Sequence, residues 1–414
     1  MPPSVSSSLP GRGKARSNNY PQPGACAPPP TVGELNGNGQ NLPGVNPLSR
    51  VLFVGAPYEV VSRESRSLAQ CFEATGRNTG NLLIGYGLFT QLQYDKLESY
   101  RYAMTPEYVE ENFDQVVIAA ANFLFPGFDF TPVSSFLDKI KLPVFMVGLG
   151  AQLPSSQSEL KNIPAGTWRL VQIASERSHS IGVRGDFTAE QLRKHGISNV
   201  QVTGCPSLYT GLKPKIEIRR KAAPERIIVN GSRNVVGHSS DKEAATRVER
   251  QLFNLAISRD LPYVLQNEQP EMQIANGEDP ADHGPALGSL AKFFGVSQAD
   301  LTKFYQRRGR TFFSVQEWFH WIKDYDFSVG TRFHGNIAAL LNGVPAVILT
   351  HDSRTRELCD FAAIPSVDVS SIGKLEIDAL YEKANFKSFE KRYEEIYGSY
   401  IRFLDANRIE HLLP

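Results

Sequence analysis

The sequence predicts an α/β protein in which two Rossmann-like, doubly wound domains face a common cleft. Three observations predict it. The 414 residues exceed the size at which a single core keeps growing. From residue 50 onward, short apolar runs of strand length alternate with segments of helical spacing, the pattern of parallel sheets with helical crossovers. A polar, basic break at 213–226, holding Pro214 and Pro224, divides that alternation into two.

The first 49 residues are about one third Pro plus Gly and lack periodic apolar positions, so they bury too little surface to fold. They read as a disordered tail. Arg12, Lys14 and Arg16 give it a basic character, but neither an amphipathic helix nor an apolar core of a signal follows. The first α/β domain, 50–212, has predicted strands at 51–55, 115–120, 143–148, 180–183 and 200–203. Between them, apolar spacings of three and four predict helices at 79–94, 133–140, 166–177 and 186–195. After the linker 213–225, the second domain, 226–385, carries predicted strands at 226–230, 263–266, 312–314, 326–329 and 346–350. Its predicted helices are 241–259, 315–323, 333–342 and one from residue 353. The segment 386–414 holds a last predicted helix, 386–408.

Composition narrows the function. The chain is 41% hydrophobic and 21% charged, with 44 basic against 43 acidic residues, so no bulk positive field serves a nucleic acid. The four cysteines, Cys26, Cys71, Cys205 and Cys359, form no CxxC pair; neither a zinc site nor a disulfide framework follows, and a reducing cytoplasm suits them. No apolar run reaches the length of a membrane span. No metal and no cofactor are called for.

Ligands of such domains bind in the loops at the carboxyl ends of the strands. The strongest such loop is Gly330-Thr331-Arg332-Phe333-His334-Gly335. Thr331 is a good N-cap, Phe333, Ile337, Leu340 and Leu341 share one helix face, and Asn342-Gly343 stops the helix before Pro345. Arg332 and His334 then sit at an anion-binding helix start. The plain reading is that Arg332 pairs with an acid and His334 packs. In the first domain, Arg184-Gly185-Asp186 follows a strand, with Asp186 as N-cap and Arg184 aimed at the cleft. Cys205, in the turn Gly204-Cys205-Pro206-Ser207, lacks a partner nearby in sequence. Asn78-Thr79-Gly80-Asn81, Asn230-Gly231-Ser232-Arg233 and His351-Asp352-Ser353-Arg354 are each either cleft lining or surface turn.

The runs Val147-Gly-Leu-Gly-Ala-Gln152, Ser180-Ile-Gly-Val-Arg-Gly-Asp186, Val202-Thr-Gly-Cys-Pro206, Gly330-Thr-Arg-Phe-His-Gly335 and Gly343-Val-Pro345 resemble the polysaccharide pyruvyl transferase family in order and spacing, over about residues 51–365. The resemblance implies a GT-B-like fold and transfer of the pyruvyl group of phosphoenolpyruvate to a sugar or glycan acceptor as a cyclic ketal. By it, Arg332 and His334, the catalytic candidates, match the donor-binding Arg-x-His element, and Arg184 matches the arginine of a Val-Arg strand end. A donor with a phosphate and a carboxylate calls for paired cations, so the helix start with Thr331 and Gly335, and a second arginine, Arg184 or Arg233, are the further donor-binding candidates. Asn78, Gly80 and Asn81 look like the family's N-terminal glycine loop, here set far behind the first strand by the charged stretch 59–73. They, with His351 and Asp352, are the candidates for acceptor or cleft lining. Phe123, Phe125, Phe128 and Phe130 either stack on sugar or belong to the core. The alternatives are a GT-B glycosyltransferase using a nucleotide sugar and a non-catalytic glycan-binding relative.

Overall fold

A computed structural model describes residues 48–153 and 159–414; the predicted disordered tail lies almost wholly outside them. The first sheet is parallel, in the order β2-β1-β3-β4, from β1 (Arg50–Gly55), β2 (Lys96–Ser99), β3 (Gln115–Ala119) and β4 (Val144–Val147). The amides of Gly148 and Leu149 donate to Gly182 O at 2.9 Å. That junction continues the sheet into the parallel pair β5 (Ile181–Val183) and β6 (Val200–Val202). β3 and β4 are buried along their whole length, as expected of parallel strands covered on both faces.

The second sheet is fully parallel as well, ordered β12-β11-β10-β7-β8-β9. Its strands are β7 (Ile227–Val229), β8 (Tyr263–Val264), β9 (Gly309–Arg310), β10 (Phe327–Gly330), β11 (Ala346–Thr350) and β12 (Ser366–Asp368). Strand order reverses between β7 and β10 here, and between β1 and β3 in the first sheet. Loops at such a reversal diverge to opposite faces and leave a crevice.

The strand predicted at 312–314 is absent. Phe312 and Phe313 are buried, which gives the run its strand-like look, but they lead into a helix capped by Ser314, whose Oγ accepts from Glu317 N at 3.3 Å. The sheet pairing falls earlier, on Gly309 and Arg310.

Seven helices place the site: α1 (Leu68–Ala74), α2 (Gly80–Gln91), α3 (Asp186–Lys194), α4 (Lys242–Ser258), α5 (Phe333–Leu341), α6 (Ser353–Ala362) and α7 (Phe386–Ala406). The charged stretch after β1 folds as a 3-10 turn, Arg63–Ser65, and α1. Cys71 and Phe72 of α1 pack into the second sheet's core beside Phe253 and Tyr263. That detour carries the start of α2 across to the second unit. α7 returns the chain to the first: Tyr400 stacks on Tyr209 with centroids 4.1 Å apart, and its hydroxyl donates to Gln91 at 2.6 Å. Residues 213–226 form no helix or strand and are tied down by Ile218 N donating to Glu390 at 2.7 Å and Arg219 N to Gly343 O at 2.8 Å.

Candidate functional site

β10 ends at Gly330 with φ 150°, a conformation side chains rarely adopt, and a Cβ there would overlap the Asn230 carbonyl from β7. The two loops flanking the strand-order reversal therefore touch. α5 starts against the Asn230 side chain, since a Cβ on Gly335 would overlap its amide oxygen. Asn230 Nδ2 donates to Ser328 at 2.8 Å, Ser328 to Asn336 at 2.7 Å, and Asn336 to Gly330 O at 3.1 Å. This buried chain fixes the turn.

Thr331 is not the N-cap. Its hydroxyl turns inward to Glu249, and Arg332 occupies the cap position with no side-chain cap, so the first-turn amides are left for a ligand. Burial pushes Glu249 up to about 7, against the bonds from Thr331 and from Ser232 N at 2.7 Å. Arg332 donates to Asn267 and Glu268. Burial disfavours the Glu268 charge. Arg332, Ser232 and the amides of Gln266 and Asn267 (2.8 and 3.0 Å) outweigh it and hold its pKa below the usual range. Pairing with an acid thus does not exhaust the arginine: its Nε is buried without a partner among the described residues.

His334, in the first turn of α5, meets the first unit on both ring nitrogens. Nε2 lies 3.7 Å from Cys205 Sγ. Nδ1 lies 3.1 Å from where a Cβ on Gly80 would sit, with Gln266 Oε1 at 2.5 Å from the same point; only glycine lets α2 come this close. Thr79 N donates to Gln266 O at 2.9 Å and locks the approach. Burial, reinforced by Arg184, Arg354 and Arg332, lowers the His334 pKa well below its ordinary value, so the imidazole is neutral at neutral pH. Around it, Thr79 Oγ1, Asn230 Oδ1 and Gln266 Nε2 are further buried atoms without partners among the described residues. Such orphans are costly without a partner.

Arg184 leaves β5 and is 2% exposed. Nε donates to Gly148 O at 2.9 Å, Nη1 to Asn122 at 3.0 Å and Nη2 to Ala120 O at 3.4 Å. These are neutral acceptors; burial chiefly, with Arg354, lowers its pKa. Asn122 donates to Gln152 at 3.4 Å, and Gln152 to Asp352 at 3.4 Å. Asp352 also faces Arg354 at 3.3 Å and His351 at 3.6 Å. Burial works against its charge, yet Arg354 and His351 hold it down to about 2, whereas burial depresses His351 to about 4. Three guanidiniums, Arg184, Arg354 and Arg332, thus act together on His334. Glu268 pairs with Arg332 and Asp352 with Arg354, and Arg184, bonded to neutral acceptors alone, brings a positive charge that favours an anion.

The profile of the polysaccharide pyruvyl transferase family matches residues 78–353, more than half of the chain. The chain belongs to that family. No curated protein matches. Among solved structures, the chain is similar to the S. aureus MnaA-UDP co-structure, at 13% identity over 88% of this chain and 99% of that one, TM-score 0.41. It is similar also to UDP-GlcNAc 2-epimerase from Neisseria meningitidis bound to UDP-GlcNAc, at 13% over 85% and 100%, TM-score 0.40. A third is the glycosyltransferase SnogD from Streptomyces nogalater, at 13% over 88% and 96%, TM-score 0.29.

This family member gathers His334, Arg332, Thr331, Gly335, Gly80 and Asn78 at one point; Asn78 Oδ1 accepts from Gly80 N at 3.0 Å. Arg184 reaches them electrostatically, and Asp352 and His351 adjoin through Gln152. Two candidates point elsewhere. Arg233 is committed to Glu271, at 2.7 and 3.3 Å, and Asn81 turns back to Thr75 O at 3.1 Å. Asp186 is not an N-cap: Gly185 holds that position, and Glu357 from α6 accepts from Thr188 N at 3.1 Å. Phe123 and Phe130 are core, 5% exposed each, while Phe128 is 37% exposed. Phe125 meets His238 of the second unit edge-on, 6.1 Å between centroids. Among the described residues no group of three His, Cys, Asp or Glu side chains could hold a metal ion, and no helix is long and apolar enough to cross a membrane.

Proposed function

We propose that the protein transfers the pyruvyl group of phosphoenolpyruvate onto two hydroxyls of a sugar, forming a ketal and releasing phosphate. One observation carries the reading: a neutral His334 on an uncapped helix start, acted on by Arg332 and Arg184 and beside buried polar atoms that lack partners among the described residues. Phosphoenolpyruvate brings a phosphate and a carboxylate. A helix N-terminus and guanidiniums are the groups that bind them.

In the reaction, the methylene carbon gains a proton and C2 accepts the oxygen of one hydroxyl. The second hydroxyl then displaces phosphate at C2. Of the two hydroxyl protons, one balances the new methyl group and the other leaves with phosphate. Arg332 and Arg184 hold the anionic donor and stabilise the charge that grows on the departing phosphate. His334 contributes a neutral imidazole that gives a hydrogen bond to the donor. The sugar enters past Phe125, Phe128 and His238, whose rings offer it stacking faces.

Incubating the protein with phosphoenolpyruvate and a panel of glycans tests the reading. Phosphate release matched by a pyruvyl mass gain on the glycan supports it. Stabilisation by sugar nucleotides with no response to phosphoenolpyruvate would replace it with the nucleotide-sugar alternative.

A further inference from the structure

Cys205 is a reactive group in the site for which the transfer has no use. It is fully buried, in the turn after β6, and two contacts define its hydrogen bonding. Ser207 Oγ, itself buried, donates to Sγ at 3.0 Å. Sγ in turn lies 3.7 Å from His334 Nε2. With the hydroxyl proton directed at sulfur, the thiol proton is free to point at Nε2, since a thiol donates weakly and a bare imidazole nitrogen accepts well. A neutral imidazole that accepts at Nε2 carries its own proton on Nδ1. Nδ1 is the nitrogen facing the junction of the α2 and α5 starts, beside Gly80 and Gln266.

We propose that Cys205 is a positioning residue: the relay Ser207 to Cys205 to His334 Nε2 fixes the Nδ1-H tautomer, so that the imidazole presents a donor to the anion bound between the two helix starts. The proposal rests on the reading of His334 as a donor-site group. It makes the thiol a proton-bearing partner rather than a nucleophile, which its complete burial behind the imidazole also suits. The tautomer of the other nitrogen decides what the ring can do.

The test uses the full chain labelled with 15N at neutral pH, with imidazole long-range proton–nitrogen spectra and His334→Gln to assign the signals. The wild type is expected to show a protonated Nδ1 and an unprotonated Nε2. Cys205→Ala is expected to shift His334 toward a mixture of tautomers, and Cys205→Ser, which keeps an O-H donor, to restore the wild-type pattern. Ser207→Ala gives a second, milder break in the same relay and is expected to weaken the preference. Turnover should follow the same order, with Cys205→Ala about tenfold or more below wild type, the scale of losing a partner that orients a functional imidazole. A protonated Nε2 in the wild type, or a tautomer untouched by Cys205→Ala, overturns the proposal. So does a covalent pyruvyl or phosphoryl adduct on Cys205. Because the spectra need no substrate, an intact tautomer effect in a protein that transfers nothing would overturn the functional reading alone.

Discussion

Two neighbouring helix starts in the second sheet show how one architecture serves two ends. α5 follows β10 and α6 follows the adjacent β11. α6 is closed by its own sequence: Asp352 accepts from Thr355 N at 2.8 Å, and Thr355 Oγ1 accepts from Asp352 N at 3.4 Å, a capping box. α5 has no side-chain cap, because Thr331, the residue suited to the task, is drawn down to Glu249. The difference lies in the cap itself: buried atoms without partners among the described residues occur beside both starts, His351 Nδ1 and Nε2 and Ser353 Oγ at α6, and Arg332 Nε, Asn230 Oδ1, Gln266 Nε2 and Thr79 Oγ1 at α5. One start thus meets its first-turn amides with its own side chain, and the other leaves them uncapped, the arrangement the proposed donor site uses.

The largest way to break this contrast is to remove the open start's chemistry. His334→Ala and Arg332→Ala should each lower kcat by about two orders of magnitude or more, within the range of acid–base and electrostatic contributions, while circular dichroism shows the fold retained. Near-normal turnover in either purified variant contradicts the assignment.

The pH dependence of folding comes next. Glu249 is raised from 4.5 in the unfolded chain to about 7 in the folded one. Its contribution is therefore fully present below pH 4.5 and lost as pH rises through 7. Glu249→Gln removes that loss, so denaturation should show the variant gaining on wild type over this window, by on the order of 3 kcal/mol. His351, depressed to about 4, acts with the opposite sign between 4 and 6.5, so only the difference between the two proteins isolates Glu249. Parallel stability curves would show that Glu249 does not hold its proton.

Arg233 sharpens the contrast by lying outside it. Arg233→Ala leaves Glu271, 1% exposed, without its ion pair and should cost about 2 kcal/mol in denaturant titrations, with turnover within a few fold of wild type. A large loss of turnover at full stability would return Arg233 to the donor site. At the closed start, Asp352→Ala should cost about 1–2 kcal/mol through the lost cap, read as a lower thermal midpoint.

Much of the site was legible because its signals are local. The strand, glycine and helix pattern around Arg332 and His334 sits in a dozen consecutive residues, and the buried parallel strands announce themselves by apolar runs such as Ala346–Thr350. What was not legible depends on distance in the chain. Cys205 and His334 are 129 residues apart, and nothing in either loop names the other. Arg233 looked free because Glu271 comes from a helix the sequence did not declare. Thr331 and Asp186 have good capping chemistry, but buried acids from other helices, Glu249 and Glu357, took over the local bonds. Edge strand β2, Lys-Leu-Glu-Ser, is half-buried and charged, so it lacks the apolar run that marked its neighbours.

The central claim is that the open start of α5 is where phosphoenolpyruvate binds. Its most direct measurement is the thermal midpoint of wild type and Arg332→Ala with and without phosphoenolpyruvate. Binding to the native state alone raises stability by about 2.7 kcal/mol at a hundredfold excess over Kd. A rise in the wild type that disappears in Arg332→Ala is the predicted result. No rise in the wild type, or an equal rise in both, contradicts it.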